Sequence, residues 1–170
     1  NDVALNDPNE FIVKLAVENT NFNNPEVIMA IAESGRDVEI RKLAVSKITD
    51  ENALSDFALN DLDVFIRREA ILNPNLSNFD ILSDVIRNDD DGFNRHWACE
   101  KITDKDYLVK LIFNKLFYHR LDDLSLNSNL NCEEYFKEVY ETCADEYHRL
   151  VSAYLIHDEI YLSNIVLNES

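Results

Sequence analysis

Six stretches of this chain carry apolar residues at i, i+1, i+4 and i+5. Val27, Ile28, Ile31 and Ala32 form the first set, and Ala53, Leu54, Phe57 and Ala58 the second. Ile81, Leu82, Val85 and Ile86 follow, then Tyr107, Leu108, Leu111 and Ile112. The last two are Tyr135, Phe136, Val139 and Tyr140, and Tyr161, Leu162, Ile165 and Val166. This period is helical, and the stripe is wider than a coiled-coil seam. It predicts helices that touch both a partner and a neighbouring unit. A second kind of amphipathic segment lies between them. One runs from about Val38 to Ile48, with Leu43, Ala44, Val45 and Ile48 inward. Its counterparts carry Trp97, Ala98, Cys99 and Ile102, and Val151, Ser152, Ala153 and Ile156.

Start signals agree with this pattern. Asp37, Asp91 and Asp145 precede the first kind of segment's equivalents, and Asp50, Asp104 and Asp158 precede the striped helices, all as candidate N-caps. Pro25 after Asn24 and Pro8 after Asp7 read as first-turn prolines behind a cap. Pro74 falls in a link, where its missing N–H does no harm. The links beginning at Asn19, Asn73 and Asn127 are asparagine-rich and turn-forming.

The elements recur at an interval of 54 residues, as in Arg41, Arg95 and Arg149, or Ile48, Ile102 and Ile156. Ala16-Val17 matches Ala70-Ile71 and Leu124-Ser125 in the same register. A single core needs no such ruler; a stack of like units does. The expected architecture is all-α: one α-solenoid domain over residues 1–170, with double repeats at about 7–60, 61–114 and 115–168. Each would hold two helical hairpins, giving six antiparallel pairs. Val3-Ala4-Leu5-Asn6-Asp7 aligns with Phe57-Ala58-Leu59-Asn60-Asp61, the end of a striped helix, so the chain is expected to begin inside a repeat.

Composition narrows the classes. Two glycines and three prolines are too few for a sheet protein with many tight turns. No apolar run approaches the roughly 18 residues of a membrane span. Net charge is −17, from 33 acids and 16 bases, and repels phosphate backbones. Nucleic acid and membrane are therefore not expected partners. Cys99, Cys132 and Cys143 form no CxxC, and a reducing, cytoplasmic setting fits them.

The Asp-x-x-x-Arg-x-x-Ala stretches Asp37 to Ala44 and Asp91 to Ala98, with Ala70 to Leu76, resemble the HEAT-like and leucine-rich-variant repeat families. The resemblance covers nearly the whole chain and implies architecture more than function. In such repeats the arginine commonly bonds an aspartate of the inter-helix turn, which implies Asp50, Asp104 and Asp158 as partners of Arg41, Arg95 and Arg149. It also implies that the second helix of each pair lines the concave side. The cysteine cluster that can precede leucine-rich-variant repeats is not carried over, because Cys99 is the first cysteine.

Candidate chemistry is sparse. The histidines 96, 119, 148 and 157 show no metal-ligand spacing, alone or with cysteine, and Cys99 with His96 makes a poor dyad because Cys99 sits in a core column. No metal or cofactor is expected. Glu26, Asp56, Asp80, Asp84, Asp106, Glu134 and Glu138 lie on the striped helices outside the apolar stripe. They are expected to form an acidic strip that receives a basic protein segment. A non-enzymatic interaction scaffold is thus the leading reading. The alternatives are an enzyme on a HEAT-like stack, resembling DNA glycosylases or bilin lyases, and a structural piece of a longer array. Tyr154, Leu155 and Ile160 are apolar where earlier units are polar, so the last hairpin is expected to pack against further repeats or a second copy.

Overall fold

The computed structural model describes residues 7–34, 36–130 and 132–168, and among them every regular element is helical. The elements are α1 (Glu10–Glu18), α2 (Pro25–Ala32), α3 (Val38–Val45), α4 (Glu51–Asn60), α5 (Val64–Leu72), α6 (Phe79–Asn88) and α7 (Gly92–Lys101). Then come α8 (Lys105–Ile112), a 3-10 segment (Lys115–Arg120), α9 (Leu121–Ser125), α10 (Glu133–Thr142), α11 (Glu146–Leu155) and α12 (Glu159–Asn168). None of them is long and apolar enough to cross a membrane. The aligned segment Val3 to Asn6 lies outside the described residues.

The caps explain where the helices begin. Asp37, Asp50, Asp104 and Asp145 each accept a backbone N–H from the first turn they precede. Asp91 accepts from Asn94, and Asp158 from Ile160 and Tyr161. Asn24 caps α2 with Pro25 at its first position. Pro8 differs from expectation: Asn9 caps α1, and Asp7 instead accepts the Asn9 N–H.

Contacts divide the chain into two compact units, with the boundary between Lys101 and Ile102. In the first, α2 packs closely on α3, α4 on α5, and α6 on α7. The hairpin frame is thus offset by one helix from that expected. The links Asp61–Asp63 and Asp89–Asp91 are three residues long, and Ser46–Asp50 and Asn73–Asn78 are longer. Helices α1, α3, α5 and α7 contact one another in succession as one layer, and α4 touches α6 in the other. Ala44, Ala70 and Ala98 are fully buried where the first layer packs. A larger side chain there would overpack the contact. Trp97, expected inside, is 41% exposed.

Two columns of side chains lock turns together. The Asn73 amide is buried and donates to the carbonyls of Val45 (3.0 Å), Ser46 (3.3 Å) and Ile48 (3.0 Å), at the end of α3 and in the link that follows it. Its own oxygen accepts the Asn75 N–H at 2.9 Å. Lys47 Nζ donates to the carbonyls of Asn19 and Phe22, and Lys101 Nζ to those of Ile71 and Asn73. Burial holds the Lys101 amine below its ordinary pKa, against the opposing charge of Glu51.

In the second unit, α10 pairs with α11, and α8 packs on the 3-10 segment and α9. The first helix expected around Leu124 is replaced by that 3-10 segment and a five-residue helix, because Arg120 leaves helical geometry at φ −122° and ψ 14°. The asparagine clamp recurs in register: Asn127 Nδ2 donates to the Ile102 carbonyl at 3.1 Å. Of the expected apolar end, Leu155 is a correction, being only 3% exposed. It occupies the Lys47 and Lys101 column, an inward-turned position rather than a surface one, so leucine replaces a carbonyl-binding amine there. Tyr154 is exposed with its hydroxyl bonded to the Asp122 carboxylate, and Ile160 is exposed on α12. The Tyr161 hydroxyl bonds Glu141 at 2.9 Å, and burial together with that bond pushes its pKa up to about 12.

Two substitutions test these contacts. Asn73→Ala removes the buried donor shared by the carbonyls behind α3 and is expected to cost about 1–3 kcal/mol in urea unfolding, whereas Asn19→Ala at the exposed equivalent costs little. Ser152 sits in the alanine column, fully buried, with its Oγ unpartnered among the described residues. Ser152→Ala is expected to stabilise the chain by about 1 kcal/mol, read from the same denaturation curves.

Candidate functional site

The residues expected to form an acidic strip are carboxylates that the helical period turns away from the core. In the first unit Glu26, Asp56 and Asp80 are exposed on α2, α4 and α6. Helix α4, which carries Asp56, contacts α6, which carries Asp80 and Asp84, and the close partner of α2, which carries Glu26, is α3. Asp84 is half-buried and pairs with Arg87 at 2.6 Å, and Asp56 accepts from the Asn60 amide at 2.7 Å. In the second unit Asp106 is exposed on α8, and Glu134 and Glu138 on α10. Glu134 bonds Lys137 at 2.9 Å. That bond, with a second to Asp158, holds the Lys137 amine well above its ordinary pKa.

The arginines are built into the scaffold, with partners other than those expected. Arg41 donates to the Ala32 carbonyl at 2.7 Å and to the Asp61 carboxylate. Arg67 donates to the Asp61 carbonyl at 3.1 Å and grips Asp89 with two bonds, of 2.8 and 3.0 Å. Arg95 donates to the carbonyls of Asp89 and Asp90. Arg67 and Arg95 thus hold the link before their own helix and Arg41 the end of the helix before it, and Arg41 and Arg67 also reach the carboxylate of the next link. Asp50, Asp104 and Asp158 are occupied instead as caps, and Arg149 lies over the Tyr140 ring at 5.9 Å. The physical reason is placement: the three-residue links set Asp61 and Asp89 beside the guanidinium groups of Arg41 and Arg67. The column Arg41, Arg67 and Arg95 repeats at 26 and 28 residues, halves of the longer interval. Asp63-x-x-x-Arg67-x-x-Ala70 carries the same motif and was the available signal.

Asp89 is the most enclosed of these acids. Burial pushes its pKa up, but bonds from Arg67, the Asp91 N–H and the Asn94 amide outweigh it and hold the carboxyl below its ordinary value. Asn94, itself fully buried, also receives a bond from Arg68 at 3.1 Å. These contacts stabilise the fold and leave the guanidinium committed.

The thiol chemistry also differs from expectation. Cys143 Sγ lies 3.8 Å from His148 Nδ1, a cysteine–histidine contact made across the turn into α11. Cys99 is fully buried, and His96 contacts Trp97. Among the described residues no three His, Cys, Asp or Glu side chains converge as metal ligands. Comparison with protein-family models, with curated proteins and with solved structures finds no match to this chain.

The Arg67–Asp89 pair gives a direct test. Arg67→Met leaves Asp89 buried without its cation and is expected to cost about 3 kcal/mol at neutral pH, measured by urea unfolding. Asp89 titrates lower when folded than its ordinary 3.8, so its contribution is complete above about pH 4 and is lost as pH falls through the folded value. The gap between variant and parent should therefore shrink in acid.

Proposed function

We propose that this chain is a non-enzymatic scaffold, an α-solenoid of about six antiparallel helix pairs, that receives a basic protein segment along its acidic strip in the cytoplasm. The observation that carries the reading is Asp56 and Asp80 exposed on the contacting helices α4 and α6. Residues 1–101 hold ten Lys and Arg against twenty Asp and Glu. Arg41, Arg67, Lys47 and Lys101 of that set are turned to links and turns rather than to the strip. The α4–α6 face consequently keeps a negative potential, which steers a basic partner chiefly through its association rate. Repetition supports the scaffold class, because stacked units offer extended surfaces. Exposed Ile160, Val166 and Leu167 on α12 support end-packing against further repeats or a second copy.

The test uses a Lys- and Arg-rich helical peptide and a Gln-substituted control. Binding of the basic peptide is expected to weaken by about tenfold between low and physiological salt. Asp56→Lys with Asp80→Lys is expected to slow association by about tenfold with little change in dissociation, read by surface plasmon resonance. Equal binding of parent and double variant would reduce the strip to a solvated face.

A further inference from the structure

We infer that the cavity between α10, α11 and α12 of the second unit is a binding site for a small organic anion with a flat apolar body, an aromatic carboxylate being the simplest case. The cavity has a volume of about 650 Å³, the size of a small-molecule site. Leu150, Ala153 and Ile165 supply apolar wall, Tyr140 and Tyr147 supply rings, and Lys115 and Arg149 supply charge.

The two cations set this cavity apart. Lys115 Nζ lies 5.2 Å from the centre of the Tyr147 ring, and the Arg149 guanidinium 5.9 Å from that of Tyr140. Among the described residues neither has a carboxylate at ion-pair distance or a hydrogen-bond acceptor, in a chain with about twice as many acids as bases. A ring face attracts a cation but accepts none of its N–H donors in the ordinary sense. The donors therefore remain available beside two aromatic faces. The Tyr147 hydroxyl oxygen is itself buried, so Tyr147 offers the cavity its ring and not its hydroxyl.

Asp145 and Glu146 also line the cavity. Asp145 accepts the His148 N–H as the cap of α11, and that bond, with the charges of His148 and Lys115, holds its carboxyl below the ordinary value. Glu146 is exposed in the first turn of the same helix. The cavity beside Arg67 makes the contrast: Asp61, Asp84, Asp89 and Asp90 surround its one arginine, which leaves no place for an anion. This inference does not rest on the acidic-strip reading, which concerns other helix faces and the opposite charge.

The experiment titrates the full chain with naphthoate and, separately, with uncharged naphthamide by isothermal calorimetry. Naphthoate is expected to bind at least about tenfold more tightly than naphthamide, the difference one charge-assisted contact makes. Arg149→Met and Lys115→Met should each abolish most of that preference, with helix content unchanged by circular dichroism. Lys110→Met removes an exposed cation of the same unit outside the cavity and should leave the preference intact. Equal affinity for the two probes, absence of naphthoate binding, or an equal loss in the Lys110 variant would overturn the inference.

Discussion

Everything in this molecule depends on satisfying the carbonyl groups that a short helix leaves behind. Helices of eight to ten residues expose a large share of their backbone at their ends, and most of the α-helices here are of that length. The Asn73 amide answers this for the end of α3, and Asn127 does the same for the Ile102 carbonyl. Asparagine suits the task because one short side chain offers donors to the preceding unit and an acceptor to its own turn. Leucine or alanine at either position would remove that donor from the turn behind the helix. The packing of apolar columns then follows, since it needs helices whose ends stay closed.

Much of this was legible in the sequence. The caps at Asp37, Asp50, Asp104 and Asp145 could be read directly, because an N-cap is a local event between a side chain and the next turn. So could the striped helices, whose periodicity is set by burial. The arginine partners could not. Arg41 finds Asp61 and Arg67 finds Asp89 through packing between helices, which spacing along the chain does not fix. The longer interval also concealed its half: Arg67 belongs with Arg41 and Arg95, yet has no partner at 54 residues that is an arginine. Leu155 shows the same limit, since a column of lysines looks solvent-facing until their amines are seen turned back to carbonyls.

The acidic strip stands differently. Its residues were placed on the exposed face by helical period alone, and exposure at Asp56, Asp80, Asp106, Glu134 and Glu138 agrees. Helix contacts bring α4, with Asp56, to α6, with Asp80, a neighbourhood that spacing along the chain does not fix. The chain's acids therefore fall into kinds with distinct work. Some cap helices, some clamp arginines within the scaffold, and the remainder shape the field outside it. The cavity lined by Lys115 and Arg149 was not legible at all, because it is formed by residues from three helices and a 3-10 turn.

The uneven placement of aromatic residues has an optical consequence. Trp97, the single tryptophan, lies in the first unit, and all seven tyrosines lie after residue 106, in the second. Trp97 is partly open to solvent, while Tyr147 and Tyr161 are half-enclosed. Emission from indole and absorbance from phenol thus report on different halves of the chain without any label. Coincident transitions in the two signals would mark one cooperative structure, and separated ones would mark two that melt independently.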